Sequence, residues 1–269
     1  CPLAVNTDRL KSMFNDEYEE KNQLYAGDIS FIGSMYNEKH NLYDRLCGVN
    51  DYTKGYLDAI MKVQRSIYGY FFLENMLKGD VLDEMMRVCP VKPNEDGVET
   101  VQYVYANYFL ARRMATDERT DILSRVGREL GRENKINLYT PDASVRFINV
   151  NNKGTVDYYN EMPYVFRNSR INLNITLRSI KSGIPLRCMD ICGAGGFLLS
   201  NYQADLYDVF VPGEDMVIYD SIDDLMNKCK YYLSHDAERR QIAQNGFGKI
   251  EEKHTYDVRF EEIFNRVFN

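Results

Sequence analysis

Histidine, paired cysteines and long apolar runs are scarce in this chain, and each scarcity removes a class of function. Only three histidines, His40, His235 and His254, occur in 269 residues. Their spacing fits neither a catalytic triad nor a metal-ligand set. His235 and His254 fall at predicted helix boundaries, where capping or turn roles are expected; His40, just beyond the first glycine turn, is the one histidine placed for chemistry, with a structural or peripheral role the favoured reading. The six cysteines, at 1, 47, 89, 188, 192 and 229, form no Cys-x-x-Cys pair. Cys188 and Cys192 lie four apart on a predicted helix and could hold a metal, but no histidine is near them in sequence, so core packing is the expected role. No metal is assigned.

No stretch approaches the ~20 apolar residues that span a bilayer. The longest aromatic-aliphatic run, Tyr68 to Leu77, is interrupted by Gly69, Glu74 and Asn75. No signal peptide is visible. The expected setting is reducing and cytoplasmic, compatible with a peripheral place on the inner face of a membrane. A basic excess is lacking too. The 33 basic against 40 acidic residues give a net charge of −7, which disfavours a nucleic-acid backbone as partner. No internal repeat or low-complexity segment stands out.

What is present is an ordinary globular composition, 44% hydrophobic and 27% charged. Residues 1–27 are polar and acidic and read as an arm or linker. Asp28 to Ser34 reads as a buried strand closing on a glycine turn. From about Asn41 to Leu130 the pattern is helical, with Leu57, Ile60, Met61, Val63, Ile67 and Phe71 at spacings near three and four. Pro90 and Pro93 break this block, and Asp96-Gly97 marks a turn. Beyond Gly131, strands are predicted at 135–140, 145–150, 170–176, 196–200 and 216–219. Helices are predicted at 160–168, 185–192 and 202–210, and throughout the tail from Ser221. Strands alternating with helices imply an α/β fold: a Rossmann-like parallel sheet with helices on both faces and a large helical insertion, 41–130, after the first strand.

The densest chemical signal runs from Gly183-Ile184-Pro185 through Asp190 to Gly193-Ala194-Gly195-Gly196. It reads as a glycine-proline turn, a short helix with one acid, and a glycine-rich exit into the strand at Phe197 to Ser200. Such a segment offers backbone N–H groups and a carboxylate to a nucleotide. Arg178, Lys181 and Arg187 gather around it and suit a pyrophosphate, the competing reading being a solvated basic loop. Asp190 either pairs with Arg187 along the helix or accepts hydrogen bonds from ribose hydroxyls. Gly33 and Ser34, directly after the first strand, either present N–H groups to a phosphate or serve turn geometry alone. The glycines 193, 195 and 196 end a helix instead of opening one, which disfavours a nicotinamide dehydrogenase.

These residues carry a resemblance. Gly154-Thr155-Val156 with Met162-Pro163, Ile171 to Asn174, Gly183 to Arg187 with Asp190, Gly195 to Leu199, Pro212 to Asp215 and His254-Thr255-Tyr256 with Arg259 resemble the C-terminal, donor-binding domain of GT-B glycosyltransferases. The branch that includes spore-maturation-type proteins is the most similar. The resemblance implies one half of a GT-B fold and metal-independent transfer of a sugar from a nucleotide donor, UDP-linked, to a cell-surface or envelope glycan of a bacterium. By the same analogy Asp190 holds the ribose, Thr155 and Val156 lie beside the base, and Gly33 and Ser34 face the donor phosphates. Arg178 and Lys181 are assigned to the pyrophosphate by charge and placement, and Gly183 and Arg187 complete the donor set. Many relatives carry a Glu-x7-Glu pair; its first position here is Ser182, which leaves retention of configuration open, and no catalytic residue is assigned. Residues 1–27 are expected to lead from an N-terminal acceptor-binding domain before residue 1, and 28–269 to form the nucleotide-sugar domain. A half of this kind is expected to be inactive alone. The competing expectation is a non-catalytic nucleotide-sugar-binding or interaction module with the helical block as its partner surface.

Overall fold

A computed structural model describes residues 3–14, 19–37, 41–93, 97 and 99–268. The chain opens with helices α1 (Thr7–Met13) and α2 (Glu19–Tyr25), then strand β1 (Gly27–Ile32). A helical stretch follows: α3 (Asp51–Arg65), α4 (Leu73–Met76), α5 (Asp80–Val88), α6 (Val101–Val104), a π-helical turn over Tyr105–Leu110, and α7 (Ala111–Leu130). Next come β2 (Ile136–Tyr139), β3 (Val150–Asn152), α8 (Met162–Asn168), β4 (Ser169–Asn174), α9 (Leu186–Gly193), β5 (Leu198–Asn201) and β6 (Val217–Tyr219). The tail holds α10 (Ile222–Ser234), α11 (Asp236–Lys253) and α12 (Tyr256–Phe268).

The strands form one six-stranded sheet in the order β3-β2-β1-β4-β5-β6, every pair parallel. This is the expected Rossmann-like α/β fold. Parallel neighbours cannot be joined by hairpins, so each crossover must travel over a face of the sheet. The order runs outward one way from β1 to β3 and the other way from β4 to β6. Right-handed crossovers therefore place helices on opposite faces, and the direction switches between β1 and β4.

The chain divides into two compact units. The sheet unit comprises residues 1–33, 123–176 and 182–269, and the helical unit residues 34–122 and 177–181. In the sheet unit, Val5, Leu10, Phe166, Met189, Leu198 and Ile218 belong to one buried cluster. The N-terminal segment, expected as a lead-in arm, packs into that cluster: Val5 pairs in parallel with Thr255, and Asn6 caps α1 by accepting from the Arg9 N–H at 3.0 Å. In the helical unit, Leu57, Leu73, Met85, Phe109, Leu110 and Met114 are buried together. The periodic residues of α3 divide as their spacing demands, Leu57, Ile60 and Met61 inward and Val63 outward. The break at Pro90 and Pro93 falls between α5 and α6 as expected.

One strand differs. The sequence pattern predicts a strand over 145–150, but β3 begins only at Val150. Asn149 takes a φ of +56°, and Ile148 points outward with 67% exposure. A left-handed residue cannot continue a pleated strand, so the apolar residues before it lie in a turn.

Candidate functional site

In the sheet unit, the loop after β3 is shaped by its short polar residues. Gly154 has a φ of +78°, and its N–H donates to Asn152 Oδ1 at 3.0 Å. Asp157 Oδ1 then accepts from the N–H groups of Tyr159 (3.1 Å) and Asn160 (2.7 Å), while its own N–H donates to Glu161 Oε2 at 2.7 Å. These reciprocal bonds satisfy the donors at the entry to α8 and hold Tyr158 in place. Thr155 is exposed on this loop, and Val156 packs half-buried against the core cluster.

Tyr158 faces the acid of α9. Its hydroxyl lies 3.1 and 3.2 Å from the two carboxylate oxygens of Asp190. The two residues line a cavity of about 410 Å³ together with Asn6, Arg9, Tyr159 and Leu186. Burial pushes the Asp190 carboxyl up to about 6, against the opposing pull of the Tyr158 hydrogen bond and of Arg187 and Arg9. Burial, joined by the negative charge of Asp190, pushes the Tyr158 phenol to about 12. Arg9 donates to the Tyr159 carbonyl at 2.8 Å and lies 5.5 Å from its ring centre. Among its described lining residues the cavity thus offers aromatic walls and a single carboxylate with two acceptor oxygens, a combination suited to a ring bearing hydroxyls.

Gly183 takes a φ of +97° and its N–H donates to the Asp205 carboxylate at 2.5 Å, so this turn already holds an anion. Arg187 is directed inward, with its Nη1 3.3 Å from Met162 Sδ and its guanidinium 5.4 Å from the Phe166 ring centre. The three cations expected around the pyrophosphate each have partners in this structure. Arg178 and Lys181 belong to the helical unit and Arg187 to the sheet unit, and each has its own partners. Arg178 forms a two-point ion pair with Glu118, at 2.5 and 3.3 Å, with both side chains buried. It also stacks on Tyr68 and donates to the Arg65 carbonyl. Lys181 pairs with Glu74 at 3.1 Å on an exposed surface. Arg178 is therefore not part of a solvated loop, whereas Lys181 is exposed.

The glycine turn after β1 is also more committed than expected. The Gly33 N–H donates to the Tyr139 carbonyl at 3.0 Å, so what it offers is close approach and no free donor. Ser34, in the helical unit, accepts from the Arg119 guanidinium at its carbonyl and from the Tyr36 N–H at its hydroxyl, the latter at 2.9 Å.

The family model for glycosyl transferase-like proteins matches residues 112–265, more than half of the sequence. The chain belongs to that family. No curated protein sequence is significantly similar to it. Among solved structures it is similar to trehalose-6-phosphate synthase OtsA, with 14% identity and a TM-score of 0.49 over 98% of this chain and 50% of that one. It is similar also to sucrose-phosphate synthase from Thermosynechococcus elongatus (12%, TM-score 0.47, over 99% and 52%). A glycosyltransferase from Rickettsia africae gives 8% identity and a TM-score of 0.47 over 99% and 56%. The chain spans about half the length of these proteins.

In this glycosyl transferase-like chain the other expected residues have structural roles. Cys188 and Cys192 are wholly buried in the core cluster, where desolvation pushes both thiols up, Cys188 to about 12. His235 stacks on Tyr231 where α10 meets α11, and His254 ends α11, with its Nδ1 2.9 Å from Arg259 Nη2. His40 lies outside the described residues. Tyr158 and Arg9 escaped the sequence reading. Tyr158-Tyr159 behind a turn-forming Asp157 was a visible signal; Arg9, 181 residues from Asp190, gave none.

Proposed function

We propose that the sheet unit binds the nucleotide-sugar donor of a bacterial glycosyltransferase, one that passes the sugar to a cell-surface or envelope glycan. The observation that carries this reading is the Asp190–Tyr158 pair at the wall of the 410 Å³ cavity, in a chain of the glycosyl transferase-like family. Asp190 holds the ribose by accepting from its hydroxyls, and the Tyr158 hydroxyl keeps both carboxylate oxygens turned toward the cavity. Thr155 and Val156 stand beside the base. The rims after β1 and β4 flank the point where the strand order switches direction, the usual place for a nucleotide in an open parallel sheet. Gly33, Ser34 and Gly183 give the phosphates close approach to backbone, and the donor displaces the Asp205 carboxylate from the Gly183 N–H.

Arg178 and Lys181 remain the proposed pyrophosphate cations. Arg178 Nη1 is buried without a hydrogen-bond partner, and Lys181 is exposed enough to exchange Glu74 for a phosphate. Arg187 acts indirectly, through its positive charge beside Asp190. Charge on the departing nucleotide is offset by these groups, so the transfer is metal-independent, and uridine diphosphate is the proposed leaving group. The acceptor is held by a further domain, and this half alone turns over no donor. A cytoplasmic site, at the inner face of the membrane, fits a nucleotide donor and a chain in which no described helix is long and apolar enough to cross a membrane.

Thermal unfolding of the full chain with millimolar UDP tests the reading, because a ligand of the native state raises the midpoint by mass action. The expected result is a rise that Asp190→Ala abolishes. An unchanged midpoint across a panel of nucleoside diphosphates would overturn it. The non-catalytic alternative draws on the buried Arg178–Glu118 pair, which ties one proposed cation into the framework; binding without turnover in a longer protein carrying an acceptor domain would favour it.

A further inference from the structure

A second set of hollows lies in the sheet unit where β4 and β5 begin. It shares no lining residue with the cavity at Asp190. Two adjoining hollows, of about 240 and 230 Å³, have Arg167, Gly195, Arg240 and Ala243 in common. Arg170, Arg239 and Ser169, with Asn168 and Phe197, line one of the two as well, and no carboxylate lines either hollow among the described residues.

The four arginines are not neutralised by their neighbours. Asp236 is shared among Arg170, Arg239 and Arg240, and Asp28 pairs with Arg170 at 3.1 Å, so two carboxylates face four guanidinium groups. Arg167 has no carboxylate partner among the described residues; its guanidinium lies over the Phe14 ring at 4.5 Å. Gly195, at φ +75°, brings the backbone beneath it, where an added Cβ would stand 3.8 Å from Arg167 Nη1. Arg239 and Arg240 sit near the start of α11, where the helix dipole is itself positive and cations are disfavoured. Crowding by Arg170 and Arg240 adds to burial in pulling the Arg239 guanidinium down from its ordinary value.

Independent of this charge, the wall holds unused donors. Ser169 is 95% buried by its 5% exposure, and its Oγ has no hydrogen-bond partner; the equally buried Arg239 has no partner for Nε. A buried hydroxyl left unbonded is costly, so an orphan of this kind marks a place where a ligand or water completes the site. Planar guanidinium forks with a hydroxyl match the tetrahedral oxygens of a phosphate.

We propose that this groove binds a phosphate monoester, its phosphate against Arg167, Arg240 and Ser169 and its organic part along Ala243, Gln244 and Phe247. The assignment goes beyond the donor reading and does not depend on it. Calorimetric titration of the full chain at constant ionic strength tests it, using inorganic phosphate, glycerol 3-phosphate and glucose 6-phosphate, with glucose as the uncharged control. Sedimentation with vesicles of phosphatidylcholine, with and without phosphatidic acid, tests the same group on a lipid.

Binding of a phosphate probe is expected, weakened at least about tenfold by Arg167→Ala/Arg240→Ala, both exposed positions whose loss leaves no bare buried charge, and unchanged in Asp190→Asn. Ser169→Ala, which removes only the orphan hydroxyl, is expected to weaken it about threefold. Soluble esters alone point to a metabolite, and phosphatidic acid alone to a lipid headgroup; both support the site. No binding of any phosphate probe at about 10 mM, or binding that survives the double substitution, overturns it.

Discussion

Asp190 shows how a single carboxyl links folding to ligand binding. Burial raises it from 3.8 to about 6, so the native state binds more protons than the unfolded chain between those values. Its contribution to stability is therefore present at low pH and is lost as pH rises through the raised value, levelling above about 6. Asp190→Asn, which still accepts from Tyr158, is expected to remove this fall and to gain on the order of 2 kcal/mol at neutral pH, read from denaturant curves at pH 4 and 7.5. Binding has the opposite slope. A ribose needs the ionised acceptor, so UDP affinity is expected to drop about tenfold per unit as pH falls below the raised value, in wild type and not in Asp190→Asn. Tyr158→Phe leaves the carboxylate without its donor. It is expected to raise the Asp190 carboxyl further, seen as a shift of the pH profile to higher values; a profile that stays in place would remove Tyr158 from the site.

Between elements, the decisive contacts are those where backbone and charge leave no slack. At Gly196, between α9 and β5, a Cβ would stand 2.5 Å from the Phe166 carbonyl and 2.8 Å from Asn172 Nδ2. Asn172 bonds Ser30 across the sheet at 2.9 Å, so the clash would reach the central strand pair. Gly196→Ala is expected to destabilise by about 2–4 kcal/mol, whereas Gly248→Ala, with open space around it, is expected to be neutral or stabilising. Arg178 gives a parallel case. Arg178→Ala would strand Glu118 in a buried site and is expected to cost about 3–5 kcal/mol, much of which Arg178→Met/Glu118→Leu restores. The glycine-rich exit and the alternation of strands and helices were legible in the sequence because close approach and pattern are local properties. The partners of Arg178 were not, since Glu118 lies 60 residues away and nothing local distinguishes a buried pair from a solvated loop. The same reason hid Arg9. The strand misplaced at 145–150 failed because an apolar run does not announce that Asn149 will turn left-handed.

Across the whole chain, the sequence marked a helical block inserted after a first strand, and the fold gathers that block into a unit whose buried side chains form a cluster of their own. Its limits, 34–122 with 177–181, differ from the periodic run at 41–130 because helical spacing continues through α7 while core membership does not. Met85 is fully buried in the helical cluster and Leu198 nearly so in the sheet cluster. Truncating either to alanine is expected to cost about 2–5 kcal/mol. Separate clusters make the two losses close to additive, within about 0.5 kcal/mol, since neither cavity can relax into the other. Hydrogen exchange locates each loss. Met85→Ala is expected to speed exchange in α3, α5 and the π-helical turn while amides of β1, β4 and β5 keep their protection, and Leu198→Ala is expected to do the reverse. Loss of protection in every element from either substitution would mean one cooperative core, and the division of the chain into a sheet unit and a helical unit would then have no energetic counterpart.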